Sequence, residues 1–319
     1  DKYDLFKRKK VNFIDFPNKE RRLDLPKEMI NMDFYDVVNT VYWKYNGDAS
    51  IFELLLLDNA IRSYKKNYNL YIGYMPYSRM DRTENEGTAF SLDIMTTLLT
   101  RNLQAISEVF ILDPHSEVTL KQLNQKSKQN LDYNFAKEFE YLDHWSDETT
   151  QIYSFAKDVI DYTKLNIENA WFVFPDKGAA KRYNANDYLN VIVCEKVRDF
   201  ATGQIQDIKA HIEKQTSTPD EHAPIIIIDD LCSYGGTFVG AIKAIENDLG
   251  ITSKDNWLIV THAEEAMTQG DIPKTFQKIF TTDSIATPSK AMSMSSHDFN
   301  GNHQFYVRPV LDIIEELNK

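Results

Sequence analysis

The chain has 319 residues, 42% of them hydrophobic, and a formal net charge of -12. That apolar content argues against wholesale disorder, and the length is too great for one compact core, so two domains of ordinary size are expected. The acidic balance repels nucleic-acid backbones and argues against DNA or RNA as partners, while leaving room for a local basic pocket around a small phosphate ligand.

The start, DKYDLFKRKKVNF, is basic but has no apolar run of the kind a signal peptide needs. It lacks an initiator Met, which leaves room for a few further native residues. Helical spacing predicts a helix over Ile51–Lys66, with Phe52, Leu55, Leu56 and Ala60 at matching positions. A strand follows at Leu70–Met75, then a helix at Phe90–Arg101 and a strand at Val109–Leu112. The pattern pauses from Gln129 to Thr149, a polar and aromatic stretch, and a domain boundary is expected there, giving domains 1–147 and 148–319. Beyond it come a helix at Thr150–Tyr162 and strands at Trp171–Phe174 and Val191–Val193. The polar stretch Arg198–His222 reads as a long mobile loop or flap, a length common among lids. Strands at Ile225–Ile228, Trp257–Thr261 and Lys278–Thr281, a helix at Gly240–Asp248 and a short helical tail at Val310–Leu317 complete the chain. Strands alternating with helices imply an α/β fold of parallel sheets covered on both faces. No stretch approaches the roughly 18 apolar residues of a membrane helix. The two cysteines, Cys194 and Cys232, make neither a disulfide framework nor a zinc cluster and fit a reducing compartment. The expectation is a cytoplasmic protein with no membrane partner.

The most informative segment is PIIIIDDLCSYGGTF, Pro224 to Phe238. Four isoleucines make a strand apolar on both faces, as in the middle of a parallel sheet. Asp229 and Asp230 follow at its C-terminal end, where open α/β sheets bind ligands. Two adjacent acids can accept hydrogen bonds from the two hydroxyls of a ribose. Ser233, Tyr234, Gly235, Gly236 and Thr237 then open onto a helix. Paired glycines let backbone N–H groups approach a phosphate, and a helix N-terminus favours the anion. No Gly-Lys-Ser/Thr follows, so this is not a Walker loop.

The segment resembles the signature for phosphoribosyl pyrophosphate (PRPP) in type I phosphoribosyltransferases and in ribose-phosphate pyrophosphokinases, and other segments favour the second family. FPNKE, Phe16 to Glu20, resembles that family's adenine-binding segment through Phe16, Asn18 and Glu20. YMPYSRMDRT, Tyr74 to Thr83, resembles its ATP-phosphate segment through Pro76, Tyr77, Arg79, Asp81 and Arg82; guanidinium groups suit phosphate oxygens. Met80 stands where a glutamine is usual. ILDPHSE resembles the segment whose histidine, here His115, contacts magnesium or phosphate. PDKGA resembles the segment in which Asp176 would touch metal or ribose, with Ala179 replacing a glycine. CEKVR places Lys196 and Arg198 where the family opens a catalytic flap, and Thr261–Ala263 also resembles the family.

The resemblance implies two type I phosphoribosyltransferase-like domains, each a mostly parallel sheet flanked by helices. It implies an enzyme that moves the β,γ-diphosphate of ATP to the anomeric 1-hydroxyl of a ribose 5-phosphate unit and releases AMP. Lys196, Arg198 and His115 would be catalytic. Phe16, Asn18, Glu20, Arg79, Asp81 and Arg82 would bind ATP, and His115 and Asp176 would assist Mg2+. Asp229, Asp230, Ser233, Tyr234, Gly235, Gly236 and Thr237 would bind the ribose phosphate. A dimer-based homo-oligomer, up to a hexamer, is implied as well. One departure is sharp: the family has aspartate and threonine where this chain has Ser233 and Tyr234. Tyrosine crowds a free 5-phosphate but offers a flat stacking face. The acceptor expected from that change is ADP-ribose, giving ADP-ribose 1-pyrophosphate in a metabolism that rebuilds NAD. The alternatives are ordinary PRPP synthesis and a non-catalytic regulatory homologue.

Overall fold

The computed structural model describes residues 10–25, 39–83, 85–129, 138–141, 154–198, 205–294 and 299–318. The chain divides into two compact units, 1–142 with 314–319, and 143–313.

In the first unit a small antiparallel hairpin, β1 (Phe13–Asp15) and β2 (Arg21–Leu23), is tied to the first helix by an Arg21–Glu53 ion pair. The core is a parallel four-stranded sheet in the order β3 (Asn39–Trp43), β4 (Tyr68–Ile72), β5 (Ile106–Ile111) and β6 (Glu138–Tyr141). Helices α1 (Ala49–Ser63), α2 (Ser91–Asn102) and α3 (Glu117–Gln129) connect these strands. Helix α1 buries Leu54, Leu57, Asp58 and Ile61, one face at helical spacing. Its buried carboxylate has work inside the fold. Asp58 accepts from the Tyr68 hydroxyl at 3.1 Å and from the backbone N–H groups of Gln104 and Ala105 at 3.0 and 2.9 Å, which fixes the entry into β5.

The second unit starts with α4 (Phe155–Thr163), capped by the Ser154 hydroxyl accepting from Lys157 N–H. Next come β7 (Trp171–Phe174), α5 (Lys177–Arg182), β8 (Asn190–Arg198), β9 (Ile205–Gln215), β10 (Ile225–Cys232) and α6 (Gly236–Leu249). After them follow β11 (Asn256–Ala263), a single turn α7 (Ile272–Thr275), β12 (Lys278–Thr282), β13 (Met292–Ser293) and β14 (Phe305–Arg308). The eight strands form one sheet in the order β13-β14-β12-β11-β10-β7-β8-β9, parallel except for the β8–β9 pair. The isoleucines of β10 lie at its centre, each 1% exposed or less. Each face of that strand enters a different apolar cluster: Ile225 and Ile227 pack with α6, Ile226 and Ile228 with α4. That two-sided burial is why the run carries no polar alternation.

Three local readings change. The expected helix at Gly240–Asp248 starts four residues earlier, because Gly235 supplies a left-handed cap at φ 74. The strand ending at Ile228 continues to Cys232, so Asp229 and Asp230 sit within β10 rather than after it. The loop read over Arg198–His222 contains the eleven-residue strand β9, paired antiparallel with β8. Ile208, Ala210 and Ile212 alternate there with Asp207, Lys209, His211 and Glu213, the period of a strand. The turn of this hairpin, 199–204, lies outside the described residues. Among the described residues no helix is long and apolar enough to cross a membrane.

Candidate active site

The second unit gathers three segments that are far apart in sequence. Strand β10 delivers Asp229 and Asp230 at the C-terminal end of the sheet. Arg182, the last residue of α5, places Nη1 2.8 Å from Asp230 Oδ1 and 3.6 Å from Asp229 Oδ1. All three side chains are less than one-fifth exposed. Burial pushes the Asp229 carboxyl well above its ordinary range, the Asp230 charge pushes the same way, and the Arg182 guanidinium opposes both.

The loop beyond β10 is held from two sides. Glu264 N–H donates to the Cys232 carbonyl at 2.9 Å. Gly235 sits against Ile272 of α7, and a methyl group there would lie 2.3 Å from that side chain. Gly235 therefore cannot carry a side chain, on grounds of both φ and space. Gly236 is different: a Cβ there would meet open space. Its backbone opens the first turn of α6, where unpaired N–H groups are available to an anion. Tyr234 is 73% exposed, while Ser233 is half-buried.

Asp176 caps α5 by accepting from Ala179 N–H through Oδ1 at 2.9 Å. Its Oδ2 accepts from Lys196 Nζ at 3.5 Å, so the PDKGA and CEKVR segments meet. Lys177 and Glu195 form a second, exposed bridge at 2.6 Å between the same elements. Arg198 ends β8, and its side chain lies outside the described residues. The six-residue α5 thus carries Asp176 at its start and Arg182 at its end.

In the first unit, YMPYSRMDRT follows β4 and ILDPHSE begins at the last residue of β5, and the two strands are parallel neighbours. The two segments touch. Asp81, 6% exposed, accepts from Ser116 Oγ and from Arg82 Nε, both at 2.8 Å. Burial pushes its carboxyl up, but these two hydrogen bonds, with the charges of Arg82 and His115, more than reverse that and leave it below its ordinary value. Arg79 and Arg82 are exposed. Tyr77 takes a left-handed backbone at φ 64, rare for a bulky residue. Its hydroxyl donates to Asp48 at 2.6 Å, and Tyr45 donates to the same oxygen at 2.8 Å. Asp113, with φ 39, is almost fully buried, and His115 is half-buried. FPNKE forms the turn between β1 and β2, closed by Phe16 N–H to the Glu20 carbonyl and by Glu20 N–H to Asn18 Oδ1. Phe16 is 42% exposed there, with Arg22 over its ring.

Among the described residues no group of three or more His, Cys, Asp and Glu side chains could hold a metal ion. Asp176 nevertheless keeps Oδ2 outside the helix cap. One carboxylate oxygen suits Mg2+, which keeps its waters and binds chiefly through substrate phosphates.

Sequence reading missed Arg182 and the Tyr45–Asp48–Tyr77 cluster. Arg182 belongs to a short helix whose partner strand starts 43 residues later, and no local spacing announces that contact. Tyr45 and Asp48 precede a helix and look like ordinary capping residues.

No model of a protein family matches the chain. Similar curated proteins do exist. A ribose-phosphate pyrophosphokinase of Sulfurisphaera tokodaii is 30% identical over 240 residues, covering 74% of this chain and 71% of that protein. Another, of Sulfolobus acidocaldarius, is 24% identical over 293 residues, covering 86% and 88%. A solved structure of the phosphoribosylpyrophosphate synthetase from Mycobacterium smegmatis has a TM-score of 0.62 at 14% identity, covering 97% of this chain and 89% of that one, and so shares the fold. The fold is α/β, with parallel sheets flanked by helices of the type I phosphoribosyltransferase kind. The chain belongs to the ribose-phosphate pyrophosphokinase family.

Proposed function

We propose that the chain is an ATP-dependent diphosphotransferase acting on the anomeric hydroxyl of a ribose 5-phosphate unit. The observation that carries this reading is the convergence in the second unit. An acid pair on β10, bare backbone N–H groups opening α6 and a lysine against a capping aspartate all lie at or beyond the C-terminal ends of adjacent strands. Its relatives are named for this activity.

In the proposed step the 1-hydroxyl oxygen attacks the β-phosphorus of ATP, the bond from that phosphorus to the bridging oxygen breaks, and AMP leaves with that oxygen. The hydroxyl proton goes to solvent. Asp229 and Asp230 accept from the ribose diol. Gly235, Gly236 and Thr237 offer N–H groups to the 5-phosphate. Arg79, Arg82, Lys196 and Arg198 neutralise the polyphosphate, and Phe16, Asn18 and Glu20 serve the adenine. Mg2+, assisted by His115 and Asp176, would neutralise oxygens of the β- and γ-phosphates. Such transfer depends on position and charge more than on covalent chemistry. The domains of this reading are 1–147 for ATP and 148–319 for the ribose phosphate, in a cytoplasmic, dimer-based oligomer.

The acceptor we favour is ADP-ribose. Tyr234 presents an exposed ring between the acid pair and the phosphate loop, where a free 5-phosphate has no use for it and a distal adenosine could stack. Ordinary PRPP synthesis is the second reading, supported by the names of the relatives. The deciding experiment offers ATP with ribose 5-phosphate or ADP-ribose and identifies products by mass spectrometry. ADP-ribose 1-pyrophosphate and AMP are expected. PRPP alone would defeat the ADP-ribose reading, and no AMP with either sugar would point to a regulatory homologue.

A further inference from the structure

We infer that Arg182 is a positioning residue that aims the Asp229–Asp230 pair and lowers the cost of its charge, so that the pair can accept hydrogen bonds from the acceptor's ribose hydroxyls. This rests on the sugar role proposed for the two acids.

Two carboxylates in sequence on a buried strand cannot both hold charge cheaply. Asp229 is 18% exposed and Asp230 8%, and each raises the cost of ionising the other. A protonated acid would offer the ribose a donor where an acceptor is needed. Arg182 answers this from another element. Its Nη1 lies within ion-pair distance of both acids, at 2.8 and 3.6 Å, and the guanidinium is itself only 16% exposed, so water screens the interaction weakly. Of the influences on Asp229, burial and Asp230 push its carboxyl up, and Arg182 is the cation that pulls it down.

The other titratable groups nearby do not replace it. Cys232 on β10 has a thiol that burial pushes up to about 12, so it is neutral. Arg182 also lines a cavity of about 230 Å³ with Lys157, Asp161, Tyr183 and Asp187, whose acids and single lysine give no net positive charge to substitute for it. An arginine suits the task because its guanidinium stays protonated at any working pH, and here one nitrogen, Nη1, faces both carboxylates.

Arg182 stands at the C-terminal end of α5, and Asp176 caps the N-terminal end. The same short helix therefore sets the acid pair and the aspartate that meets Lys196. A change at Arg182 should be felt on the sugar side first.

The test compares wild type with R182Q and R182K. For each, kcat and KM are measured for the acceptor sugar and for ATP from pH 5 to 9. In parallel, the Asp229 and Asp230 carboxyls are titrated by NMR in protein carrying 13C-carboxyl aspartate. R182Q should move the acid limb of kcat/KM for the sugar up by about 1 pH unit or more. The sugar KM at pH 6 should rise about tenfold while the ATP KM stays within about twofold, as expected when one ion pair is lost. R182K should return the limb most of the way. An unmoved limb and unmoved carboxyl titration in folded R182Q overturn the inference. Should R182Q fail to fold, R182K decides: a limb near that of wild type supports a charge role, and one displaced by a full unit overturns it. If wild type makes no product with either sugar, the proposed function falls, and the carboxyl titration alone still decides whether Arg182 favours the charge of the pair.

Discussion

Asp81 and Asp229 invite comparison. Each is a carboxylate carried beyond or at the C-terminal end of a parallel strand, each is shielded from water, and each lies near an arginine. Burial pushes both upward, yet Asp81 ends below its ordinary value and Asp229 well above it. Their neighbours make the difference. Asp81 has a serine hydroxyl, Arg82 and His115, all favouring its charge. Asp229 has a second carboxylate beside it and shares one arginine with it. Asp81 spends both its oxygens inside the protein and joins two loops. Asp229 and Asp230 hold a costly arrangement that a ribose diol would relieve. The same residue type serves as a brace in one unit and as a receptor in the other.

The largest effect expected falls on the receptor side. Lys196→Ala should lower turnover by roughly 10²–10³, the usual cost of one preorganised charge at a transferring group. Its unfolding temperature should match wild type, because among the described residues the Lys196 ammonium meets Asp176 only at 3.5 Å. Near-normal turnover would remove the β8–β9 hairpin from the mechanism. Next, Asp230→Asn should raise the sugar KM by about 10- to 100-fold, the range for losing a hydrogen bond to a charged group. The same change made in the brace, Asp81→Asn, should leave the sugar KM alone. Equal losses in the two variants would erase the distinction between brace and receptor. Tyr234→Ala should weaken ADP-ribose by about 1–3 kcal/mol, the worth of one base–aromatic stack, and leave ribose 5-phosphate little changed. Loss of both acceptors alike would mean that the tyrosine shapes the loop rather than the choice of sugar.

The smallest effect is in stability against pH, where the two acids should differ in sign. Asp81 is depressed on folding, so its contribution is present above the unfolded value of about 3.9 and is lost as pH falls through the folded one. Asp229 is raised, so its contribution favours the fold below about 3.9 and is lost as pH rises through the folded value. Urea unfolding from pH 3 to 7 should show Asp81→Asn losing part of the acid destabilisation of wild type. Asp229→Asn should gain stability toward neutral pH. Parallel curves for the two variants would refute the assignment of opposite shifts.

Much of the scaffold was legible because its signals are local. The isoleucine run of β10 follows from the burial of both its faces. Helix α1 was legible as a helix, but the face it buries is Leu54, Leu57, Asp58 and Ile61 rather than Phe52, Leu55, Leu56 and Ala60, and Phe52 is 58% exposed. The ribose-phosphate segment was legible because acids, glycines and helix start are consecutive. The flap hairpin was misread as a loop, because the alternation in β9 is diluted by charge on an outer strand with one apolar face. Arg182 could not be found at all from spacing: its meaning depends on β7 and β10 being adjacent, which only the sheet order supplies. The contact between Ser116 and Asp81, 35 residues apart, is of the same kind.

The outer strand β9 has one more consequence, for how the protein survives in a crowded solution. It is the last strand of the eight-stranded sheet, so one row of its backbone groups faces no further strand among the described residues. An open row of that sort is a template on which a passing chain can zip into amyloid-like stacks. Part of this row is already taken, because Ala210 N–H donates to Asp248 Oδ2 of α6 at 2.9 Å. Here Asp207, Lys209 and Glu213 stand exposed at alternate positions along it. An incoming strand would have to bury both signs of charge at once, which makes the edge a poor seed. The hairpin that carries Lys196 can thus end the sheet without becoming the place where the protein aggregates.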